Sequence, residues 1–277
     1  ISLNKISKMF KADRSGLAKK LKEAGIDVVN RHNETKFDEN IFDNINTEEK
    51  AYWLGFIYAD GFISSNSNEF EISLKGSDID HLQKFNQFMN HTDPNHVKLG
   101  TVVLKGKSFS RCRWGVTNKH LWNTLNSYGC VPNKSLVLKF PNLEIFSDPI
   151  LINHFIRGYF DGDGCLIKVK RKSGIKPSSS LLGTFEFLSK VKEILELQGF
   201  DVSKLIFHPE KPKTYELDIH AKSRYSFLDY LYKGANIYLD RKFQLYQFFN
   251  SCRPKEESLG LSESKIGENC DVNPEVN

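Results

Sequence analysis

The 277 residues contain no apolar run approaching the roughly 18 to 20 that a membrane span requires, and no charged start followed by an apolar stretch of the kind that marks a secretory signal. A membrane-spanning helix is thereby not expected, and an intracellular setting is, in a bacterial cytoplasm or an organelle. Cysteine is sparse and unpatterned: Cys112, Cys130, Cys165, Cys252 and Cys270 are odd in number, form no CxxC pair and have no histidine at zinc-ligand spacing. That excludes a disulfide framework and a structural zinc site. No charge of one sign dominates the whole chain, whose net charge is +5. The balance is uneven, however. Residues 254–277 carry −4 and leave +9 on the rest, which favours a polyanionic partner. What is abundant is bulky packing material, with 21 Phe and 10 Tyr in a composition that is 39% hydrophobic, as a globular core requires.

Residues 1–29 read as two short helices, LNKISKMF and RSGLAKKLKEAGI, with Gly25 placed for a C-cap. Their spacing fits part of a helix-turn-helix that would put Arg14, Ser15, Lys19 and Lys20 on or beside the second helix. A basic hairpin packed on the main body fits equally well, and any supporting third helix would precede Ile1. Residues 30–46 (NRHNETKFDENIFDNIN) are polar and Asn-rich, so a linker is expected there. The stretch 254–277 is acidic, Ser-rich and poor in aromatics, the composition of a disordered tail.

Between these lies an internal repeat. TEEKAYWLGFIYADGFIS at 47–64 is echoed by DPILINHFIRGYFDGDGCLI at 148–167, with Asp60 lying 103 residues before Asp163. Each copy opens with a helix-start signal, Asn46 with Glu49 or Asp148 with Pro149, and closes on Asp-Gly. The echo continues downstream, where RWGVTNK matches YELDIHAK at the same offset. Two tandem α/β units are expected, 47–145 and 146–253, in an α+β fold with antiparallel sheets. Within them strands alternate: Phe70, Ile72 and Leu74 share one face, Arg111 points with Arg113, and Lys168, Lys170 and Lys172 lie opposite Ile167 and Val169. Together with nearby Lys105 and Lys107 these basic residues suggest faces offered to DNA phosphates.

The motif segments carry the chemistry. Gly55 and Ala59 are four apart on one expected helix, as are Gly158 and Gly162 on the other, so each presents a strip of small residues against which a second backbone can close. The helices would then bring Asp60 and Asp163 together at their C-terminal ends, where the helix macrodipole and mutual repulsion both disfavour carboxylates. A divalent cation reverses that sign. Two aspartates with neighbouring carbonyls, those of Ala59 and Gly162, suit Mg²⁺ completed by waters and phosphate oxygens, with Mn²⁺ as substitute. A lone Asp-Gly would be read as a capping turn. DGDG as a calcium loop fails, because Cys165 stands where the next oxygen ligand belongs.

WLGFIYADG (53–61) and IRGYFDGDG (156–164) resemble the signature of the LAGLIDADG homing endonucleases. The resemblance spans roughly 47–250 and implies two motif helices on a pseudo-twofold axis, sheets forming a saddle over DNA, and metal-dependent cleavage of both strands of a long pseudo-palindromic duplex by a monomer. It makes Asp60 and Asp163 catalytic and implies one basic residue per half-site, for which Lys134 in VPNKSLVLKFP and Lys242 in YLDRKFQLY are the choices by position. Tyr58 departs from the pattern where the first acid often stands, whereas Asp161 keeps it. Ile1 and Val276-Asn277 do not match the ends of a self-splicing element, so a free-standing or intron-encoded enzyme is expected. A non-cutting regulator or an RNA maturase on the same scaffold is the alternative; retention of both acids favours cutting.

Overall fold

The computed structural model describes residues 3–11, 13–25, 36–104, 106–172 and 174–254. Two N-terminal helices, α1 (Leu3–Met9) and α2 (Arg14–Glu23), form a hairpin in which the Asp13 carboxylate caps α2 by accepting from the Gly16 N–H at 2.9 Å.

The first repeat then runs α3 (Glu48–Asp60), β1 (Gly61–Ile63), β2 (Glu69–Lys75), α4 (Ile79–Phe88), β3 (Lys98–Leu104), β4 (Lys107–Thr117) and α5 (Lys119–Ser127), closing on a 3-10 turn at Lys134–Leu136. The second runs α6 (Leu151–Asp163), β5 (Gly164–Arg171), β6 (Gly174–Gly183), α7 (Phe185–Leu197), β7 (Ile206–Phe207), β8 (Tyr215–Asp218) and α8 (Arg224–Tyr232), and ends in a full helix, α9 (Asp240–Ser251). Each repeat has one four-stranded antiparallel sheet, ordered β1-β2-β4-β3 and β5-β6-β8-β7, flanked by its helices. Identical strand order is what a duplicated unit must give.

Strand alternation sets which faces the helices cover. In the first sheet Phe70, Ile72 and Trp114 turn inward onto α4, where Phe85 meets Trp114 and Trp53 with ring centroids 4.8 and 4.9 Å apart. Such edge-to-face pairs contribute about 0.5–1.5 kcal/mol each beyond area burial. In the second sheet Leu181 and Leu217 do the same, and Tyr159 lies 4.1 Å from Phe187 of α7.

Residues 36–46 differ from the expected linker. Phe42 and Ile45 are fully buried, and Ile45 bridges to Phe146. Four apolar residues scattered among Asn and Asp suffice to fasten the segment onto the first repeat. Helix starts shift slightly as well: Thr47, not Asn46, caps α3 by accepting from the Lys50 N–H, and α6 begins two residues after Pro149, with Asp148 accepting from the Ile150 N–H at 2.8 Å.

Candidate metal-dependent nucleic-acid site

The motif helices α3 and α6 pack backbone to backbone. A Cβ built on Gly55 would fall 1.9 Å from the Phe155 carbonyl oxygen, and one on Gly158 would fall 1.9 Å from that of Tyr52. No larger residue fits at either crossing point. Further along, a Cβ on Gly162 would lie 2.3 Å from Cβ of Ala59 and 2.9 Å from Oδ2 of Asp60, so the Asp60 carboxylate sits directly against the partner helix. Both helices end with a glycine in extended conformation, where a Cβ would press on the Ile57 or Phe160 carbonyl at 2.6 or 2.4 Å. The Asp-Gly pairs thus serve close backbone approach, not the left-handed cap usual for helix ends.

The two acids meet at this junction. Burial, reinforced by the Asp163 charge, pushes the Asp60 carboxyl up to about 6, against the opposing pull of Lys134, Lys242 and Arg241. Burial also raises Asp163, opposed by Lys134, Lys242 and Lys211. Its carboxylate nevertheless remains accessible to solvent, at the floor of a recess crowded by protein on several sides. Two carboxylates that resist ionisation side by side form a donor set that gains from a cation. No cluster of three or more His, Cys, Asp or Glu side chains occurs among the described residues. Mg²⁺ needs none, since it is held by one or two carboxylates plus waters and substrate phosphates. Asp60, Asp163 and the Gly162 carbonyl therefore fit such an ion, whereas the Ala59 carbonyl, also expected as a ligand, already accepts from the Lys134 ammonium.

Lys134 and Lys242, selected by position, are both brought to the site, and both are buried. Lys134 Nζ donates to the Tyr58 carbonyl at 2.7 Å and to that of Ala59; Lys242 Nζ donates to the Phe160 carbonyl and to that of Gly164 at 2.6 Å. Each ammonium covers the negative end of its own motif helix. Burial lowers both lysines, Lys242 to about 8, with neighbouring carboxylates resisting the shift. Both ammoniums contact backbone carbonyls, and Lys134 also lines a cavity with Asp163.

Asp161 was legible in the motif, but its role was not. It is fully buried and accepts from the Tyr52 hydroxyl (2.7 Å), the Tyr232 hydroxyl (2.6 Å) and the Leu239 N–H (2.7 Å), tying α3, α8 and the start of α9 to α6. The Leu239 bond fixes the helix that carries Lys242. Arg157, also buried, crosses to Glu48 at 2.7 Å and to the Ile237 and Leu231 carbonyls. In the first repeat Tyr58 takes the place of Asp161, and its hydroxyl donates to the Tyr128 carbonyl.

The residues expected on basic faces scatter. Lys107 is exposed at the start of β4, and Arg111 is half-buried on the outward face. Arg113 shares that face but is ion-paired with Glu69 (2.7 Å) and Glu71 (2.5 Å). In the second sheet the expected face is inverted. Lys168 shares its side of β5 with buried Leu166, and its Nζ stands 3.4 Å from the Phe248 ring centroid of α9, so by alternation Lys170 follows it while Cys165, Ile167 and Arg171 turn outward. Alternation tells which residues share a face, but not which face the helices take. Lys172 is exposed in the following turn, and Lys19 is exposed on α2. Arg14 opens α2; its side chain and all of Lys105 lie outside the described residues, as do 26–35 and 255–277.

Residues 151–232 match a family model described as LAGLIDADG-like domain. No curated protein sequence matches the chain. Among solved structures the fold is similar to that of the homing endonuclease I-WcaI bound to its DNA recognition sequence, with a TM-score of 0.51 and 14% identity over 78% of this chain and 95% of that one. It is also similar to the LAGLIDADG meganuclease I-AabMI bound to uncleaved DNA, with a TM-score of 0.46 and 14% identity over 72% and 88%. At such identities the likeness concerns fold alone.

Proposed function

We propose that the chain, whose residues 151–232 match the LAGLIDADG-like domain model, is a LAGLIDADG-type site-specific endonuclease that cuts both strands of a long, imperfectly palindromic DNA duplex, working as a monomer with Mg²⁺ or, in its place, Mn²⁺. The observation that carries this reading is the convergence of Asp60 and Asp163, one from each repeat, at the junction of α3 and α6, where Asp60 lies against Gly162 and feels the charge of Asp163. Divalent ions, when bound, would supply an activated water and offset charge on the attacking and leaving oxygens. Asp60, Asp163 and the Gly162 carbonyl are the groups that would hold them, and the Ala59 carbonyl would join them only by releasing the Lys134 ammonium. Lys134 and Lys242 act through the motif helices: they neutralise the helix ends and oppose the rise in the aspartates' affinity for protons.

Phosphate contacts along the duplex fall to exposed Lys107, Lys172 and Lys19 and to half-buried Arg111 on the outward face among the described residues, with Arg14 and Lys105 beside them in sequence. Lys168 and Lys170 would reach DNA only past the rim of the second sheet, and Arg113 only by giving up Glu69 and Glu71. The α1–α2 hairpin extends recognition beyond the repeats.

The test is cleavage of a supercoiled plasmid carrying the joined sequences that flank the protein's own gene, with Mg²⁺, Mn²⁺ or Ca²⁺. Linear product dependent on Mg²⁺ or Mn²⁺, from a particle that sediments as one chain per site, is expected. Binding without cutting in every metal would favour a regulator on the same scaffold. Removal of residues 1–30 should weaken or broaden binding and leave the cutting chemistry intact, and unchanged affinity and preference would reduce that hairpin to packing.

A further inference from the structure

We propose that Lys211 is a phosphate-contacting residue of the second half-site with no equivalent in the first, so that the two DNA strands meet unequal sites; the proposal rests on the nuclease reading above. The 103-residue offset between repeats sets Lys211 opposite Ser108. Ser108 pairs with Val103 near the end of a seven-register ladder between β3 and β4. The corresponding ladder between β7 and β8 has only two registers, because Pro209 and Pro212 have no N–H with which to extend it.

Instead of reaching outward, residues 208–214 fold into a compact turn. The His208 N–H donates to the Thr214 carbonyl at 2.9 Å and the Lys211 N–H to the His208 carbonyl at 3.1 Å, while Lys213 adopts a left-handed φ of +53°. The turn brings Lys211 and Thr214 to the wall of a cavity of about 190 Å³ that Asp163, Lys134 and Thr184 also line. Among the described residues the Lys211 ammonium has no hydrogen-bond or ion-pair partner, although its charge acts on Asp163. The cation nearest in role on the other side, Arg241, acts on Asp60 but is paired with Asp78 at 3.3 Å. An exposed, unpaired lysine over the solvent-accessible acid is positioned to bind a phosphodiester oxygen as a mobile point charge. Neither Lys134 nor Lys242 can do so while bound to carbonyls.

The experiment uses the full chain and a duplex selected by binding from a randomised pool, with single methylphosphonate substitutions through the central phosphates of each strand. For the wild type, neutralising one phosphate on a single strand should weaken binding in Ca²⁺ several-fold, and in Lys211→Met that position should become silent. The salt dependence of Lys211→Met should also fall by about one counterion. With Mg²⁺ the same variant should cut that strand about tenfold more slowly and the other at the wild-type rate, and Lys211→Arg should restore most of the loss. Equal slowing of both strands, or a methylphosphonate profile that Lys211→Met leaves unchanged, overturns the proposal. A wild type that shows the phosphate coupling yet cuts in no metal would refute the nuclease reading while leaving the contact standing.

Discussion

In the first repeat Lys134 is carried by a single 3-10 turn entered through left-handed Asn133, whereas in the second Lys242 rides the first turn of the twelve-residue helix α9. The position before the last turn of the motif helix differs too, being Tyr58 with one carbonyl partner in the first repeat and Asp161 with three donors in the second. Yet both lysines end on the closing carbonyls of their own motif helix, and both acids end at the shared junction. The duplicated unit has kept its symmetry at the junction of the two motif helices and lost it in the scaffold that delivers the groups. Different turns deliver the same atoms to the same helix ends.

The largest effect expected from breaking this comparison is at the acids. Asp60→Asn and Asp163→Asn should each reduce cleavage of both strands by about a thousandfold or more, since each removes one of two negative charges from a shared cation site. DNA binding should persist in both. Strand-resolved assays that showed each variant to be a clean nickase at the wild-type rate would mean that the repeats work separately.

A smaller effect sharpens the contrast between the two scaffolds. Asp161→Asn places an amide donor among three donors, and chemical denaturation should show a loss of about 2–3 kcal/mol. Its counterpart Tyr58→Phe removes one hydroxyl bond and should cost about 1 kcal/mol. Because the Leu239 N–H is among the orphaned donors, Asp161→Asn should also slow cutting through displacement of Lys242; Tyr58→Phe should not. Equal losses of stability would show that the extra bonds of the second repeat contribute nothing.

The smallest effect concerns pH in metal-free protein. Asp60 stands at about 6 in the fold against an ordinary 3.8. Its folded form binds the proton more tightly, so its contribution to stability is present below about pH 4 and is lost as pH rises through about 6. Asp60→Asn removes this dependence. Its melting temperature should exceed that of the wild type by about 2 °C or more at pH 7 to 8 and converge with it near pH 4. A constant difference at every pH would place the strain elsewhere.

The duplication, both motif helices and the strips of small residues were legible because they recur at a fixed offset and follow from helix geometry. Lys134 and Lys242 were found by position, but their contacts were not, since the carbonyls they cover lie 75 to 82 residues away. The Arg113 ion pairs required the β2–β4 register, which sequence alternation alone does not fix. Lys168 was assigned to the wrong side because a strand of alternating lysine and aliphatic residues reads the same from either face; Phe248 decided the matter, and nothing near Lys168 in sequence announces it. Phe42 and Ile45 were hidden by their polar neighbours.

Each repeat supplies one acid and the lysine that covers that acid's helix, so the two halves contribute alike to a junction that neither completes alone. What is not interchangeable is the seam. Glu48 and Tyr52 on α3 answer Arg157 and Asp161 on α6, and the match is between unlike positions of the two copies. A hybrid that joined this second repeat to a foreign first half would keep its acid and lysine, but would assemble with these contacts only if the donor offered a carboxylate and a hydroxyl at those two places and a glycine at that of Gly55. The seam is therefore a mating type for half-proteins, and grafting Glu48, Tyr52 and Gly55 onto a foreign helix is the minimal edit for a new pairing.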